Sequence, residues 1–341
     1  METVNQQHSS QETTMRYRTL GDGRTSFDVS TLCLGTMNMG TLTDEETSFA
    51  ILDRYVEAGG TFLDTANNYS YWAGGHGRDS EDLINRWLTS RGARDHVRIA
   101  TKLGAAKKDP ALPLSNTPPT NFQGLAAETV AWEAHESLRH LGVDRLDVLY
   151  GHVDDLDTSL AETVGAFGKL QAEGAVGISG ISNVALWRVV EAREEALRQG
   201  VAPYGVVQEQ LSYLYPTPDP DRHNWASPEL LDYARSTGTD ERPPLAVTAY
   251  SPLLQGAMVR DDKELWDGYG HPTSLDRRRV LHDVARQIGA TPNQVALAWL
   301  LGGPVPVIPV IGPSSVAQLD ELLGASDLDL DPEVRTRLDA A

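Results

Sequence analysis

From about residue 30 onward, short apolar runs rich in β-branched residues alternate with longer segments whose apolar positions recur at helical spacing. Parallel strands joined by crossover helices write that alternation into a chain. Eight runs read as strands: Thr31–Leu34, Thr61–Leu63, Val97–Thr101, Leu146–Tyr150, Val176–Ser179, Gly205–Gln208, Leu245–Tyr250 and Val305–Val310. Several intervening segments carry start signals. Thr43 with Glu46 reads as a capping box ahead of Phe49, Leu52 and Val56, with Gly59 as the stop. Ser227-Pro228 reads as another start, and Thr291-Pro292-Asn293-Gln294 combines a hydroxyl cap, a first-turn proline and a capping-box glutamine. Ala127–Leu141 places Val130, Ala134, Leu138 and Leu141 on one helical face.

Eight strand–helix units over roughly 300 residues predict a single-domain α/β fold, a (β/α)8 barrel. A doubly wound sheet usually has fewer strands and a glycine-rich phosphate turn, and no such turn follows the first strand. Three segments exceed simple connectors: Ala105–Gln123, Tyr213–Ala226 and Ser251–Leu275. In a barrel they rim the carboxyl ends of strands three, six and seven, where barrel active sites are built. The polar start of the chain reads as a flexible tail over residues 1–15, with residues 16–341 forming the barrel. It lacks the apolar segment of an export signal.

Charge and cysteine usage narrow the partners. Acidic residues outnumber basic ones 48 to 29, a net charge of −19, which opposes binding to nucleic acid or to anionic lipid. No run of about 18 apolar residues marks a membrane span. The single cysteine, Cys33, reads as a small core residue in a reducing cytoplasm. Asn68-Tyr69-Ser70 matches a glycosylation acceptor, but without an export signal it is read as chance.

A barrel delivers its strand ends to one mouth, which brings Asp64, Lys102, His152, Asn183 and Gln208 together. The chemistry open to them is definite. A tyrosine phenol, with an ordinary pKa of about 10, is too weak an acid near neutrality without a cation to stabilise its phenolate. An ammonium about 4 Å away contributes roughly 4 kcal/mol at an effective dielectric of 20, which predicts that Lys102 draws Tyr69 down by about two to three units. Asp64 would orient the lysine, and His152 would hydrogen-bond a carbonyl oxygen or pass a proton.

The chain resembles the aldo-keto reductases from about Tyr17 to Ala325. Gly35-Thr36-Met37 is similar to that family's turn after strand one, and Phe62-Leu63-Asp64-Thr65-Ala66-Asn67-Asn68-Tyr69 to its Phe-x-Asp-Thr-Ala-x-x-Tyr signature. Ser80-Glu81, Thr101-Lys102, Leu149-Tyr150-Gly151-His152, Gly180-Ile181-Ser182-Asn183, Val207-Gln208 and Tyr250-Ser251-Pro252-Leu253 resemble its later motifs. The resemblance implies reduction of an aldehyde or ketone by NADPH, with NADH not excluded. It implies Tyr69 as proton donor, Lys102 and Asp64 as its tuning pair, and His152 as substrate orienter.

It further implies that Ser182, Asn183 and Gln208 hold the carboxamide, that Ser251, Leu253 and Gln255 embrace the pyrophosphate, and that Gly312, Ser314, Gln318 and Glu321 hold the adenosine side. Gly35, Thr36, Met37, Asp64, Tyr250, Pro252, Gly256 and Ile311 complete the expected cofactor contacts. Leu211 stands where many members have an aromatic ring, so stacking on the nicotinamide is expected to be weaker or to come from Tyr213. Ser314 replaces a frequent arginine, leaving Arg260 or another loop cation as the substitute partner for a 2′-phosphate, and Leu322 replaces a frequent asparagine. Trp72, His76, Trp225 and Trp266 are candidates to wall the substrate pocket or to pack rim loops.

No metal is expected. His135 and His140 are spaced one residue too far apart for a zinc helix, and Asp154-Asp155-Leu156-Asp157 reads as a helix cap. Two other functions remain open at this stage: a cofactor-sensing regulatory subunit with little turnover, and a barrel lyase using Lys102 as a Schiff base. A homo-oligomer is also left open.

Overall fold

The computed structural model describes residues 15–112, 121–219, 224–260, 262–305 and 307–341, without the side chain of Trp72. The chain opens with an antiparallel hairpin, β1 (Tyr17–Gly21) and β2 (Ser26–Ser30). Eight parallel strands follow: β3 (Cys33–Gly35), β4 (Phe62–Asp64), β5 (Arg98–Leu103), β6 (Leu146–Gly151), β7 (Val176–Ser182), β8 (Val206–Gln210), β9 (Ala246–Tyr250) and β10 (Val307–Ile311). They close in sequence order, β10 pairing with β3. This is the (β/α)8 barrel expected from the alternating pattern.

Six helices make the first crossovers: α1 (Glu45–Glu57), α2 (Asp79–Arg91), α3 (Ala127–Leu141), α4 (Leu160–Ala172), α5 (Leu186–Gln199) and α6 (Pro228–Arg235). Two helices, α7 (Pro272–Ile288) and α8 (Pro292–Leu301), separate β9 from β10, and α9 (Val316–Leu323) and α10 (Pro332–Asp339) complete the chain. None of the described helices is long and apolar enough to cross a membrane.

Local signals account for most boundaries. Thr291 and Gln294 form the reciprocal capping box at α8 that their spacing predicts, and Ser227 caps α6 ahead of Pro228. Helix α3 spans the expected residues and buries Val130, Ala134 and Leu141. At α1 the cap moves by one residue. Asp44, rather than Thr43, accepts the Thr47 backbone N–H at 2.8 Å, because a carboxylate at the dipole's positive end satisfies two donors of Thr47 at once. The loop after β9 also ends earlier than expected, since Pro272 takes the first turn of α7.

The hairpin is the main element without a counterpart in the sequence reading. Asp22 caps its turn, accepting N–H groups of Arg24 and Thr25 at 2.8 Å each, with Gly23 at φ 90°. Leu20 and Val29 of the hairpin join Cys33, Phe62, Ala100, Val148, Tyr150, Ile178, Val206 and Ile308 in one inner cluster, so the hairpin packs the floor of the barrel. Cys33 is fully buried there, and burial pushes its thiol well above the usual range. Met15, placed in the tail by the sequence reading, is also buried, whereas residues 1–14 lie outside the described residues.

Floor packing sets a close tolerance at Gly205. A Cβ at that position would lie 2.6 Å from Gly21 O and 2.8 Å from Ile178 Cγ2. Gly205→Ala should therefore cost about 1–3 kcal/mol of stability, read by urea denaturation; a variant as stable as wild type would show that hairpin and floor do not pack this way.

Candidate active site

The strand parity that builds the floor also builds the mouth. Side chains alternate across a strand, so the residues that share a face with Phe62, Ala100, Ile178 and Val206 at the floor are, farther along, Asp64, Lys102, Ser182 and Gln208. Successive layers of a barrel interior thus turn from apolar to polar toward the carboxyl ends.

Lys102 is the centre of this polar layer. Its ammonium donates to Asp64 Oδ1, to the Thr65 carbonyl at 2.9 Å and to Tyr69 Oη at 2.8 Å. Lys102 and Asp64 are only 1% and 2% exposed at their side chains. Tyr69 reaches the cluster because the chain after β4 stays paired to β5: Thr65 N–H donates to Ala100 O at 2.9 Å and Asn67 N–H to Lys102 O at 3.1 Å. The Tyr69 hydroxyl also lies 3.4 Å from Asp64 Oδ1. His152, just beyond β6, holds its backbone N–H on Leu103 O at 2.8 Å, and its ring meets the Tyr69 ring edge-on with centroids 6.0 Å apart. His152 Nδ1 is buried without a hydrogen-bond partner.

Electrostatics correct one expectation. Lys102 does not draw the Tyr69 phenol down toward neutrality: burial, and next the adjacent Asp64 carboxylate, push it well above its ordinary value. The expected drop counted a single charge pair, whereas here the carboxylate that holds the ammonium lies beside the phenol too, and all three groups are buried. Tyr69 therefore keeps its proton at neutral pH. Burial, with Lys102 adding, drives His152 well below its usual range, so its ring is neutral.

On the other side of the mouth, Asn183 adopts a left-handed backbone, φ 55°. Its amide donates to His152 O at 2.8 Å and Ser182 Oγ at 3.1 Å, and accepts from Tyr250 Oη at 2.9 Å. Gln208 donates to Asp64 Oδ2 at 2.8 Å, which ties it directly to the Lys102 cluster. Thr36 donates from Oγ1 to Asp64 O at 3.0 Å and meets Ser80 Oγ at 2.7 Å, bracing the end of β4. Gly35 packs tightly on β10, where a Cβ would come within 2.9 Å of Val310 Cγ1, and Met37 is half-buried beside it.

The loop after β9 carries four left-handed residues: Ser251 at φ 50°, and then the run Leu254 at 48°, Gln255 at 53° and Gly256 at 88°. Pro252 is buried and Leu253 half-buried. Arg260 is exposed and its guanidinium is paired with Asp262, with Nε 2.9 Å from Oδ1. Beyond β10, which ends in buried Ile311, Gly312 is exposed. Ser314 donates to Gln318 Oε1 from both N and Oγ, at 2.8 and 2.9 Å, and Glu321 accepts from Asn293 at 3.1 Å, so its carboxyl is turned to α8. Leu322 is in the core.

Other sequence candidates sort differently. Tyr213 cannot stack at the mouth: it is fully buried, donates to Leu338 O at 2.9 Å and lies under the Arg277 guanidinium at 4.1 Å, drawn outward by the α7–α10 layer. Leu211 is buried. Trp225 is half-buried, bridged to Gln210 and edge-on to Tyr215 at 6.0 Å. The side chain of Trp72 lies outside the described residues. Trp266 packs against the second apolar cluster, and the His76 backbone N–H donates to Asp79 at 3.0 Å. Asn68 is buried, donating to Ala105 O at 3.1 Å.

Nor does the Asp154–Asp157 cluster cap α4. Ser159 does so, while Asp155 accepts from Leu125 N at 2.7 Å and Asp154 pairs with Arg188 at 2.9 Å. His135 turns to Ala131 O at 2.7 Å and His140 to Asp82 at 2.5 Å, on different partners. Two buried groups near the mouth were missed by sequence reasoning. Glu133 accepts from Gly104 N at 2.6 Å, and Tyr150 meets Thr248 Oγ1 at 3.2 Å beneath Lys102. Polar residues at apolar positions of α3 and β6 were the available signal.

Comparison with known proteins accords with this geometry. The chain is 34% identical over 322 residues to an uncharacterized oxidoreductase, YrpG, of Bacillus subtilis (strain 168), covering 92% of each. It is 32% identical over 318 residues to norsolorinic acid reductase stcV of Emericella nidulans, covering 89% of this chain and 76% of that one. It is 29% identical over 343 residues to aryl-alcohol dehydrogenase (NADP(+)) of Phanerodontia chrysosporium, covering 93% and 83%. The model of the Aldo/keto reductase family matches residues 31–341, from the start of the barrel to the last residue, and the chain belongs to that family.

Proposed function

We propose that this protein reduces an aldehyde or ketone to an alcohol, with hydride from NADPH or NADH and the proton from Tyr69. The observation that carries this reading is the buried ammonium of Lys102 bonded at once to Asp64 and to the Tyr69 hydroxyl. A bound nicotinamide would supply the hydride. The chain's own residues would handle the oxygen. Tyr69, protonated at neutral pH, gives its proton to the carbonyl oxygen as negative charge develops there, and Lys102 stabilises the phenolate left behind. Asp64 keeps the ammonium aimed at that phenol, and the neutral ring of His152 offers one N–H to the same oxygen.

The donor set suits a nicotinamide nucleotide. Ser182, Asn183 and Gln208 place hydroxyl and amide groups beside the Lys102 cluster, where they would hold the carboxamide. The left-handed run at Leu254, Gln255 and Gly256, with Ser251, Pro252 and Leu253 before it, would frame the pyrophosphate. At Gly312 a Cβ would meet no atom within 4 Å, leaving room at the start of α9, where Ser314, Gln318 and Glu321 would flank the adenosine. For a 2′-phosphate, Arg260 would exchange Asp262 for the ligand. The name of the Phanerodontia relative, an aryl-alcohol dehydrogenase using NADP(+), supports NADP and an aryl aldehyde as the first class to try. Trp225 and Trp72 are the proposed pocket walls.

The direct test is nicotinamide absorbance with a panel of aryl and aliphatic carbonyls, run with NADPH and with NADH. Turnover is expected. Nucleotide binding without turnover would point to a regulatory subunit, and borohydride trapping of substrate on Lys102 to a lyase. Tyr69→Phe should lower kcat for reduction by about 10²- to 10⁴-fold while nucleotide binding persists; retention of full activity would remove Tyr69 as donor.

The pH dependence follows from the signs of the shifts. Because Tyr69 is raised and His152 lowered, neither changes protonation across about pH 6.5–9, so kcat/KM for reduction should be flat there. Alcohol oxidation needs the phenolate and should rise about tenfold per pH unit over the same range. A reduction profile falling above pH 7 would contradict the raised phenol.

A further inference from the structure

The chemistry above leaves one buried carboxyl unused. Glu209 is the penultimate residue of β8, between Gln208, which points to Asp64, and Gln210, whose amide donates to Tyr269 Oη at 3.0 Å. Alternation sends Glu209 to the opposite side, where it is fully buried between the barrel and its helices. An apolar side chain is the ordinary occupant of such a position, as Val207 is two residues earlier. Among the described residues no cation pairs with Glu209. Its Oε1 accepts the Val184 N–H at 3.0 Å, the Asn183 backbone is a further donor, and Oε2 has no hydrogen-bond partner. Burying a carboxyl on such terms is costly, and burial pushes it well above the usual carboxylate range, toward the neutral acid.

The place where those two N–H groups lie gives the cost a purpose. Asn183 holds a left-handed conformation, φ 55°, which a residue with a side chain adopts only where its surroundings impose it. From that turn its amide spans two other strand ends, donating to His152 O at 2.8 Å and accepting from Tyr250 Oη at 2.9 Å. A relaxed turn would release all three strand ends together.

We propose that Glu209 is a positioning residue: from behind the strand it clamps the backbone of Asn183 and Val184, and so holds the Asn183 amide between His152 and Tyr250 in the arrangement that receives a nicotinamide carboxamide. It rests on the cofactor reading given above and adds to it a residue that itself touches neither nucleotide nor substrate. The acceptor is what matters, so the neutral isostere should serve and an apolar residue of similar size should not.

The test compares wild type with Glu209→Gln, Glu209→Asp and Glu209→Leu, titrating each with NADPH and NADH by quenching of tryptophan fluorescence while thermal unfolding is recorded in parallel. Glu209→Gln should bind like wild type. Glu209→Leu should remain folded and bind the nucleotide about tenfold more weakly, because a displaced amide no longer meets the carboxamide. If Glu209→Leu does not fold, Glu209→Asp decides, since its carboxyl stops one methylene short of the turn and should show the same weakening. Variants that lose thermal stability yet bind nucleotide as wild type does would reduce Glu209 to a packing role and overturn the proposal alone. A wild-type chain that binds neither nucleotide would overturn the cofactor reading, and this proposal with it.

Discussion

The structure at the mouth depends on one buried ammonium. Lys102 is almost wholly removed from water, and a charge so placed is tolerable only when its donors are all met. Asp64, the Thr65 carbonyl and Tyr69 meet them, and each partner comes from the end of β4 or the turn after it. The neighbouring contacts serve that requirement: Thr36 braces the Asp64 carbonyl, Gln208 takes the second carboxylate oxygen, and the Thr65 and Asn67 amides continue pairing with β5. Removing Asp64 would strand the ammonium in a medium that cannot screen it.

That same arrangement explains why electrostatics at this site defied a pairwise count. An ammonium alone favours phenolate. An ammonium already neutralised by a carboxylate, with both beside a buried phenol, leaves desolvation as the dominant influence. The result is a phenol that retains its proton and an imidazole that stays neutral, two hydrogen-bonding groups without net charge.

What the sequence made legible was whatever is encoded locally or by strict period. The eight strands appeared as apolar runs, and the Thr291 capping box and the Ala127–Leu141 helix emerged intact because the signal and the structure lie within a few residues of each other. The position of Asp64, Lys102, His152, Asn183 and Gln208 at one mouth followed from barrel topology. What was lost depends on distant packing. The Tyr17–Ser30 hairpin earns its place by filling the barrel floor, which no local pattern announces, although the Asp22-Gly23 turn was a usable sign. Tyr213 reads as a rim aromatic until Arg277, 64 residues later, is seen to hold it outward. The choice of Asp44 over Thr43 turned on which side chain faces the helix start.

Cys33 carries a consequence of its own. As the chain's single cysteine, sealed among the side chains of the inner barrel, it offers no thiolate to an alkylating or oxidising reagent while the staves stay closed. Labelling of that sulfur is therefore gated by rupture of the barrel itself, and the protein carries within it a chemical clock for its own unfolding.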